Sequence, residues 1–245
     1  MAKKSINILD NKETPKKFLE YLKDKLGTQV FSFLIELSSF SEVLIFSGII
    51  RNYFIRYKGE IRDFDIVVKT DDDILIENFL NKFDFKKNSF GGYKVQVGHL
   101  TIDIWHLEKT WAYSKQKVTP ELFKDYSLPD TAFFNFSSIV FDLENQKFIF
   151  NSNFKRFVET KEIDLVLEEN PMPQLCIVNT IYYKQKFRLS VSEKLQKYCL
   201  INFDKYSEEE YQNVQIKHFN EIKFPYQYIK EYLKIFEKNL NIISK

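Results

Sequence analysis

Apolar residues recur every three to four positions between residues 13 and 40: Phe18, Leu19, Leu22 and Leu26, then Phe31, Phe33, Leu34 and Leu37. That period is the buried stripe of a helix, and Gly27 between the two sets predicts two helices rather than one. Thr14 ahead of Pro15 is placed to cap the first. The pattern then shortens. Residues 42–46 form an apolar run that predicts a strand, Ser47-Gly48 a turn, and residues 49–56 a helix that opens straight after the glycine. Residues 61–68 alternate with period two and predict a second strand. A capped helix is expected over 71–83. Three strands follow over 83–86, 93–97 and 100–106, punctuated by Gly91-Gly92 and Gly98, and two more over 138–143 and 147–150 about the turn Glu144-Asn145-Gln146.

Beyond about residue 155 the strand pattern stops. Segments 174–188, 190–201, 207–219 and 225–242 predict helices, the last with the stripe Ile229, Leu233, Phe236 and Leu240. The fold class expected is α+β: a mixed sheet with flanking helices followed by a small all-helical domain, divided as 1–155 and 156–245 with no Gly/Ser linker between them.

Composition changes this picture little. The 245 residues are 44% apolar, enough for a substantial core. Lys and Arg number 36 against 34 Asp and Glu, a net charge of +2 that gives no global field for nucleic acid; residues 171–245 hold 12 basic against 8 acidic side chains, net +4, compatible with an RNA backbone. The 25 Phe and 14 Tyr fit a skewed composition as readily as a set of base-stacking platforms. Cys176 and Cys199 have no Cys/His companions at metal-ligand spacing and read as buried thiols. Neither the charged opening residues nor the uncharged run 43–50 has the length of a signal peptide or a membrane span, so a soluble, cytoplasmic protein is expected.

The chemistry lies in "SGIIRNYFIRYKGEIRDFDIVV", residues 47–68. On a strand there, Phe64, Ile66 and Val68 face one way while Asp63 and Asp65 face the other, their Cα atoms roughly 6.6 Å apart. In "LTIDIWHL" the same alternation sets Asp103 apart from Ile102 and Ile104. Should the two strands be neighbours, three carboxylates converge, and convergent carboxylates call for cations. Hard oxygen donors suit Mg²⁺ or Mn²⁺, and a pair of such ions can clamp a phosphoryl displacement. Ser47-Gly48 at a helix start offers a hydroxyl and unobstructed N–H groups to phosphate oxygens, and Arg51 lies one turn on. Lys58 and Arg62 bracket the approach to Asp63 and can contact a triphosphate, and Asn135 either touches nucleotide or caps a turn. Taken alone, a strand-end D-x-D is also an ordinary solvated edge and Ser-Gly an ordinary turn; in this order and spacing they form a constellation.

At S-G-x-x-R-N…D-x-D the chain resembles the DNA-polymerase-β-like nucleotidyltransferase superfamily, closest to the head domain of bacterial poly(A) polymerases and class II CCA-adding enzymes. The resemblance covers residues 40–150 and, more weakly, 171–200, where "PMPQLCIVNTIYYKQKFRLSVSEKLQKY" is similar to the family's helical neck. "FFNFSSIVFDLENQKFIF", 133–150, is similar to the family segment built on D-F-T-x-N-A. Departures are specific: Asn52 stands where an acid is usual, Phe133 where the leading acid of that segment stands, Gln174 and Ile177 where the neck carries arginines, and no E-D-x-x-R motif follows. Nor does the chain's length hold the further helical body and tail of those enzymes.

The resemblance implies a nucleotidyltransferase-fold head and a metal-dependent transfer of NMP from an NTP, ATP among the candidates, to an acceptor hydroxyl with release of pyrophosphate. Asp63, Asp65 and Asp103 would be catalytic and hold Mg²⁺, Ser47, Gly48, Arg51, Lys58, Arg62 and Asn135 would bind nucleotide, and the acceptor would be an RNA 3′ end of tRNA type. A protein or small-molecule acceptor, a catalytically degenerate nucleotide-binding module, and a purely structural α+β domain are the other readings.

Overall fold

The structure, a computed structural model, describes residues 9, 11–46, 48–61, 63–70, 72–88, 91–117 and 125–243. The first long element is α1 (Thr14–Ser38), whose Phe18, Leu22, Leu26, Val30, Phe33 and Leu37 are at most 2% exposed. Each such side chain contributes about 1.5–3 kcal/mol by leaving water. Gly27 sits inside this helix at φ +72°, so the two expected helices meet at a kink rather than at a loop. Thr14 is buried in the first turn and Glu13 takes the cap position without a side-chain bond, one residue earlier than expected.

Strand β1 (Glu42–Phe46) leads into α2 (Gly48–Phe54), then β2 (Asp63–Lys69), α3 (Asp73–Leu80), β3 (Asp84–Lys87), β4 (Tyr93–Val97), β5 (Leu100–His106), β6 (Ile139–Asp142) and β7 (Lys147–Phe150). The start of α3 is fixed by Asp72, whose Oδ1 accepts from the Ile74 amide at 2.8 Å. The strands form one sheet in the order β3-β4-β5-β2-β1-β6-β7. Every pair is antiparallel except β2 with β5, which run parallel because the chain leaves β2 through α3 and the β3–β4 hairpin before returning. One face carries Val43, Ile45, Phe64, Ile66, Val68, Val95, Ile102, Ile104 and Phe141, all at most 1% exposed. Phe18 of α1 lies on it, its ring centroid 4.9 Å from Phe141 and 5.0 Å from Phe148. His106, an even-numbered position of β5, belongs to this packed face, where its ring lies edge-on to Tyr93. Helix α4 (Ser152–Thr160) follows the sheet and buries Phe154, Phe157 and Val158.

The chain divides into two compact units, Met1–Ala132 with Phe136–Glu159, and Phe133–Asn135 with Thr160–Lys245. In the second unit β8 (Glu162–Ile163) pairs in parallel with β9 (Ser190–Val191), and α5 (Pro173–Phe187), α6 (Glu193–Phe203), α7 (Glu208–Phe219) and α8 (Tyr226–Ile243) supply the bulk. The expected helix over 190–201 therefore starts later: Ser190 and Val191 are spent on the strand pair, and Ser192 caps α6 by accepting from the Leu195 amide at 3.1 Å. Helix α7 opens with a capping box between Ser207 and Glu210. Ile229, Leu233 and Phe236 of α8 are at most 3% exposed and meet a core that includes Ile177, Ile181, Leu195, Cys199 and Tyr211. Among the described residues no helix is long and apolar enough to cross a membrane.

Candidate active site

Asp65 and Asp103 are direct register partners across the parallel β2–β5 pair, and Asp63 pairs with Thr101 one step earlier on the same face. Adjacent strands lie about 4.8 Å apart, so the backbone brings these three positions to one patch, on the side of the sheet away from Phe64, Ile66, Ile102 and Ile104. The Asp63 side chain is outside the described residues. Asp65 is half-buried, and the Asp103 side chain is 14% exposed. Lys94, opposite Asp103 on β4, places its Nζ 3.5 Å from Asp103 Oδ1. Like charges this close raise each other's energy, and Lys94 offsets part of that.

The same end of the sheet receives α2. Ile45 of β1 pairs with Ile66 of β2, which sets Phe46, the last residue of β1, level with Asp65. Gly48 follows two residues later as the first residue of α2. A Cβ built on Gly48 would meet Arg51 Nη2 at 3.9 Å, so the guanidinium reaches back beside the first residue of the helix. Arg51 is 8% exposed. Its Nε and Nη2 donate to Asn52 Oδ1 at 3.3 and 3.1 Å, and its Cζ lies 5.1 Å from the centroid of the Phe136 ring. The stacked ring and the amide fix the plane of the guanidinium before any anion arrives.

The remaining expected site residues are less concentrated. Lys58 is exposed in the segment between α2 and β2. Ser47 and Arg62 lie outside the described residues. Asn135 stands in the second unit, 1% exposed, where its Nδ2 donates to the Glu162 carbonyl at 2.9 Å and its Oδ1 accepts from the Asp164 amide at 3.0 Å. Both ends of that amide are occupied by backbone. Sequence reasoning did not single out Lys94 or Phe136. Lys94 was visible only as an outward position of the alternating Tyr93–Val97 strand, and its place beside Asp103 depends on a register that no local pattern encodes. Among the described residues no group of three or more His, Cys, Asp and Glu side chains is arranged to hold a metal ion, a description that does not include the Asp63 carboxylate.

A mixed sheet with β2 and β5 parallel at its centre, a helix opening at Gly48 after β1, and a second, helical unit in the same chain are the elements of the nucleotidyltransferase fold. No family model matches the sequence, and no curated protein matches it either. The likeness is carried by solved structures. A CCA-adding enzyme in complex with ATP superposes with a TM-score of 0.58 at 15% identity, over 84% of this chain and 49% of its own. A CCA-adding enzyme with CTP gives 0.59 at 15%, over 87% and 52%. A tRNA nucleotidyltransferase complexed with a primer tRNA and an incoming ATP analog gives 0.59 at 15%, over 84% and 60%. The chain thus spans about half to three fifths of the length of the proteins it is similar to.

Proposed function

We propose that the chain is a metal-dependent nucleotidyltransferase that moves NMP from an NTP to an acceptor hydroxyl, the acceptor being the 3′ end of a tRNA-like RNA. One observation carries the reading: the parallel β2–β5 register that sets Asp65 opposite Asp103 with Asp63 on the same face. The solved structures with the same fold that hold ATP, CTP and tRNA support the choice of substrates.

The donor set is all carboxylate oxygen, which fits Mg²⁺ or Mn²⁺ and not a soft metal. Asp63, Asp65 and Asp103 would hold it, and once bound it supplies charge neutralisation at the phosphates and an acidified acceptor hydroxyl. The chain's own groups do the rest. Arg51, pre-oriented by Asn52 and Phe136, binds the β- and γ-phosphates beside Gly48, where the missing side chain leaves room for them. Lys58 and Arg62 add charge at the approach. The acceptor oxygen attacks the α-phosphorus, the new O–P bond forms as the bond to the β-phosphate oxygen breaks, and pyrophosphate departs. Asp103 takes the hydroxyl proton, with Lys94 beside it limiting repulsion of the incoming polyphosphate.

Incubation with each α-labelled NTP, Mg²⁺ and separate pools of total RNA and protein tests the reading. Label in RNA that is lost in Asp65→Ala supports it. Label in protein moves the acceptor to another class, and no label in any pool overturns it.

A further inference from the structure

Helix α8 buries Ile229, Leu233 and Phe236, with Tyr226 packed on Phe203 and Tyr211 and the edge of Tyr232 on Phe236. A second row, Phe224, Tyr228 and Tyr232, runs beside it at four-residue spacing and is not part of the core. Phe224 and Tyr228 stack with ring centroids 5.3 Å apart and planes 12° from parallel, and Tyr232 continues the row 6.0 Å from Tyr228. Tyr228 is 41% exposed. The last turn of α5 borders this row: Gln185 Nε2 donates to the Tyr228 hydroxyl at 2.7 Å, and Lys184 Nζ lies 5.7 Å from the Tyr232 ring centroid.

Charge on this border has one sign. Residues 182–188 read Tyr-Tyr-Lys-Gln-Lys-Phe-Arg, three basic side chains and no acid. Among the described residues neither Lys184 nor Arg188 has a carboxylate at ion-pair distance, while the two acids nearest the row in sequence, Glu221 and Glu231, are each paired with a lysine, Lys223 and Lys234. A row of rings in which Tyr228 is exposed and Tyr232 half-buried, with Lys184 against the last of them, offers a π-face to a base and a cation to its phosphate. The cores of protein–protein interfaces are depleted in lysine, whereas here Lys184 lies against the Tyr232 ring.

We infer that the α5–α8 face binds single-stranded RNA, stacking bases on Tyr228 and Tyr232 and neutralising phosphates with Lys184 and Arg188. The inference rests on the proposed function for its purpose, that of holding the strand whose end is extended. No base sequence is read here, because ring stacking accepts every base.

The test measures anisotropy of a fluorescent single-stranded oligoribonucleotide against the full chain in EDTA, with no NTP, so that binding is separated from transfer. The Tyr228→Ala/Tyr232→Ala pair is expected to weaken binding roughly tenfold or more, while Tyr228→Phe/Tyr232→Phe keeps the native affinity. Lys184→Gln lowers the magnitude of the slope of log affinity against log salt by about 0.7. Circular dichroism and thermal melting confirm that the variants fold. Native affinity in the alanine pair, or a native chain that binds no RNA and self-associates through Tyr228 in sedimentation, overturns the inference. Loss of binding in the alanine pair, with no NTP incorporation by the native chain, instead leaves this surface standing and removes the proposed reaction.

Discussion

The guanidinium of Arg51 donates twice to the side-chain oxygen of its own neighbour, Asn52, and lies beside Gly48, where the helix starts. The amide adds a neutral contact to the guanidinium. An acid at position 52 would pair with the guanidinium and compete with phosphate for it. Asn52→Asp is therefore expected to raise KM for NTP several-fold, and Arg51→Lys, which loses the planar two-point geometry, to raise it roughly tenfold, the equivalent of about 1.4 kcal/mol. Steady-state titration of NTP at fixed RNA measures both.

Asp65 and Asp103 are register partners on one patch, so neutralising either relieves repulsion in the fold while removing a donor from the proposed chemistry. Asp65→Asn and Asp103→Asn are expected to lower kcat by about 10²–10³ or more and to leave the thermal midpoint equal to or above that of the native chain. A structural role for these carboxylates would give the opposite melting result.

Removing divalent ions extends the same logic to the intact protein. Addition of Mg²⁺ to EDTA-treated chain is expected to raise the thermal midpoint, with a stabilisation of about 1.4 kcal/mol at ten times the dissociation constant. Asp65→Asn abolishes the rise if these carboxylates hold the ion. Calorimetry at several Mg²⁺ concentrations reads the effect.

Gly48 has no conformational need to be glycine: its Cβ would lie in ordinary contact with Arg51 Nη2. Gly48→Ala is expected to leave stability unchanged or improve it by up to about 1 kcal/mol, since alanine favours the helix. Its added methyl group occupies the space assigned to phosphate, so NTP affinity falls while the melting curve holds. A denaturant curve and an NTP titration on the same preparation separate the two effects.

The helical unit carries an alkaline liability. Burial is the main cause that pushes the Cys199 thiol up to about 12 and the Cys176 thiol up as well, with the neighbouring Cys199 adding to the latter; burial does the same to the phenols of Tyr198 and Tyr211. An acid whose folded pKa lies above its unfolded value stabilises the fold fully below the unfolded pKa and loses that contribution as pH rises. Stability is thus expected to be flat to about pH 9 and then to fall towards pH 12, by about 1.4 kcal/mol per pH unit for one such thiol. Urea midpoints at pH 7, 9 and 10.5 measure it, Cys199→Ala lessens the slope, and in the native state below pH 9 neither thiol reacts with a soluble thiol reagent.

Much of this architecture was legible because local and tertiary demands coincide. The strands Tyr93–Val97, Leu100–His106 and Lys147–Phe150 fall where alternation and turn residues place them. Helix Ser152–Thr160 was not foreseen: its stripe of Phe154, Phe157 and Val158 follows a strand of similar composition, with no glycine or proline to mark the change. The strands Glu162–Ile163 and Ser190–Val191 were equally hidden, since two residues have no period and exist only by pairing with each other. At the site, period two exposed the faces of Asp63, Asp65 and Asp103. The register that sets Asp65 against Asp103 and Lys94 against Asp103 is a property of three strands at once, and neither the Arg51–Asn52 contact nor the use of the Asn135 amide by the backbone of Glu162 and Asp164 leaves a mark in the local pattern.

The parallel run of β2 beside β5 also sets a timetable. Two antiparallel neighbours can meet by closing a short hairpin, but Asp65 and Asp103, 38 positions apart, are joined through α3 and the β3–β4 hairpin, a much longer closure. Non-local pairing of this kind is slow compared with helix growth. A ribosome-bound chain that has not yet released residues 100–106 has Asp65 without Asp103, so any ligand that needs both carboxylates has to wait for the second of these strands.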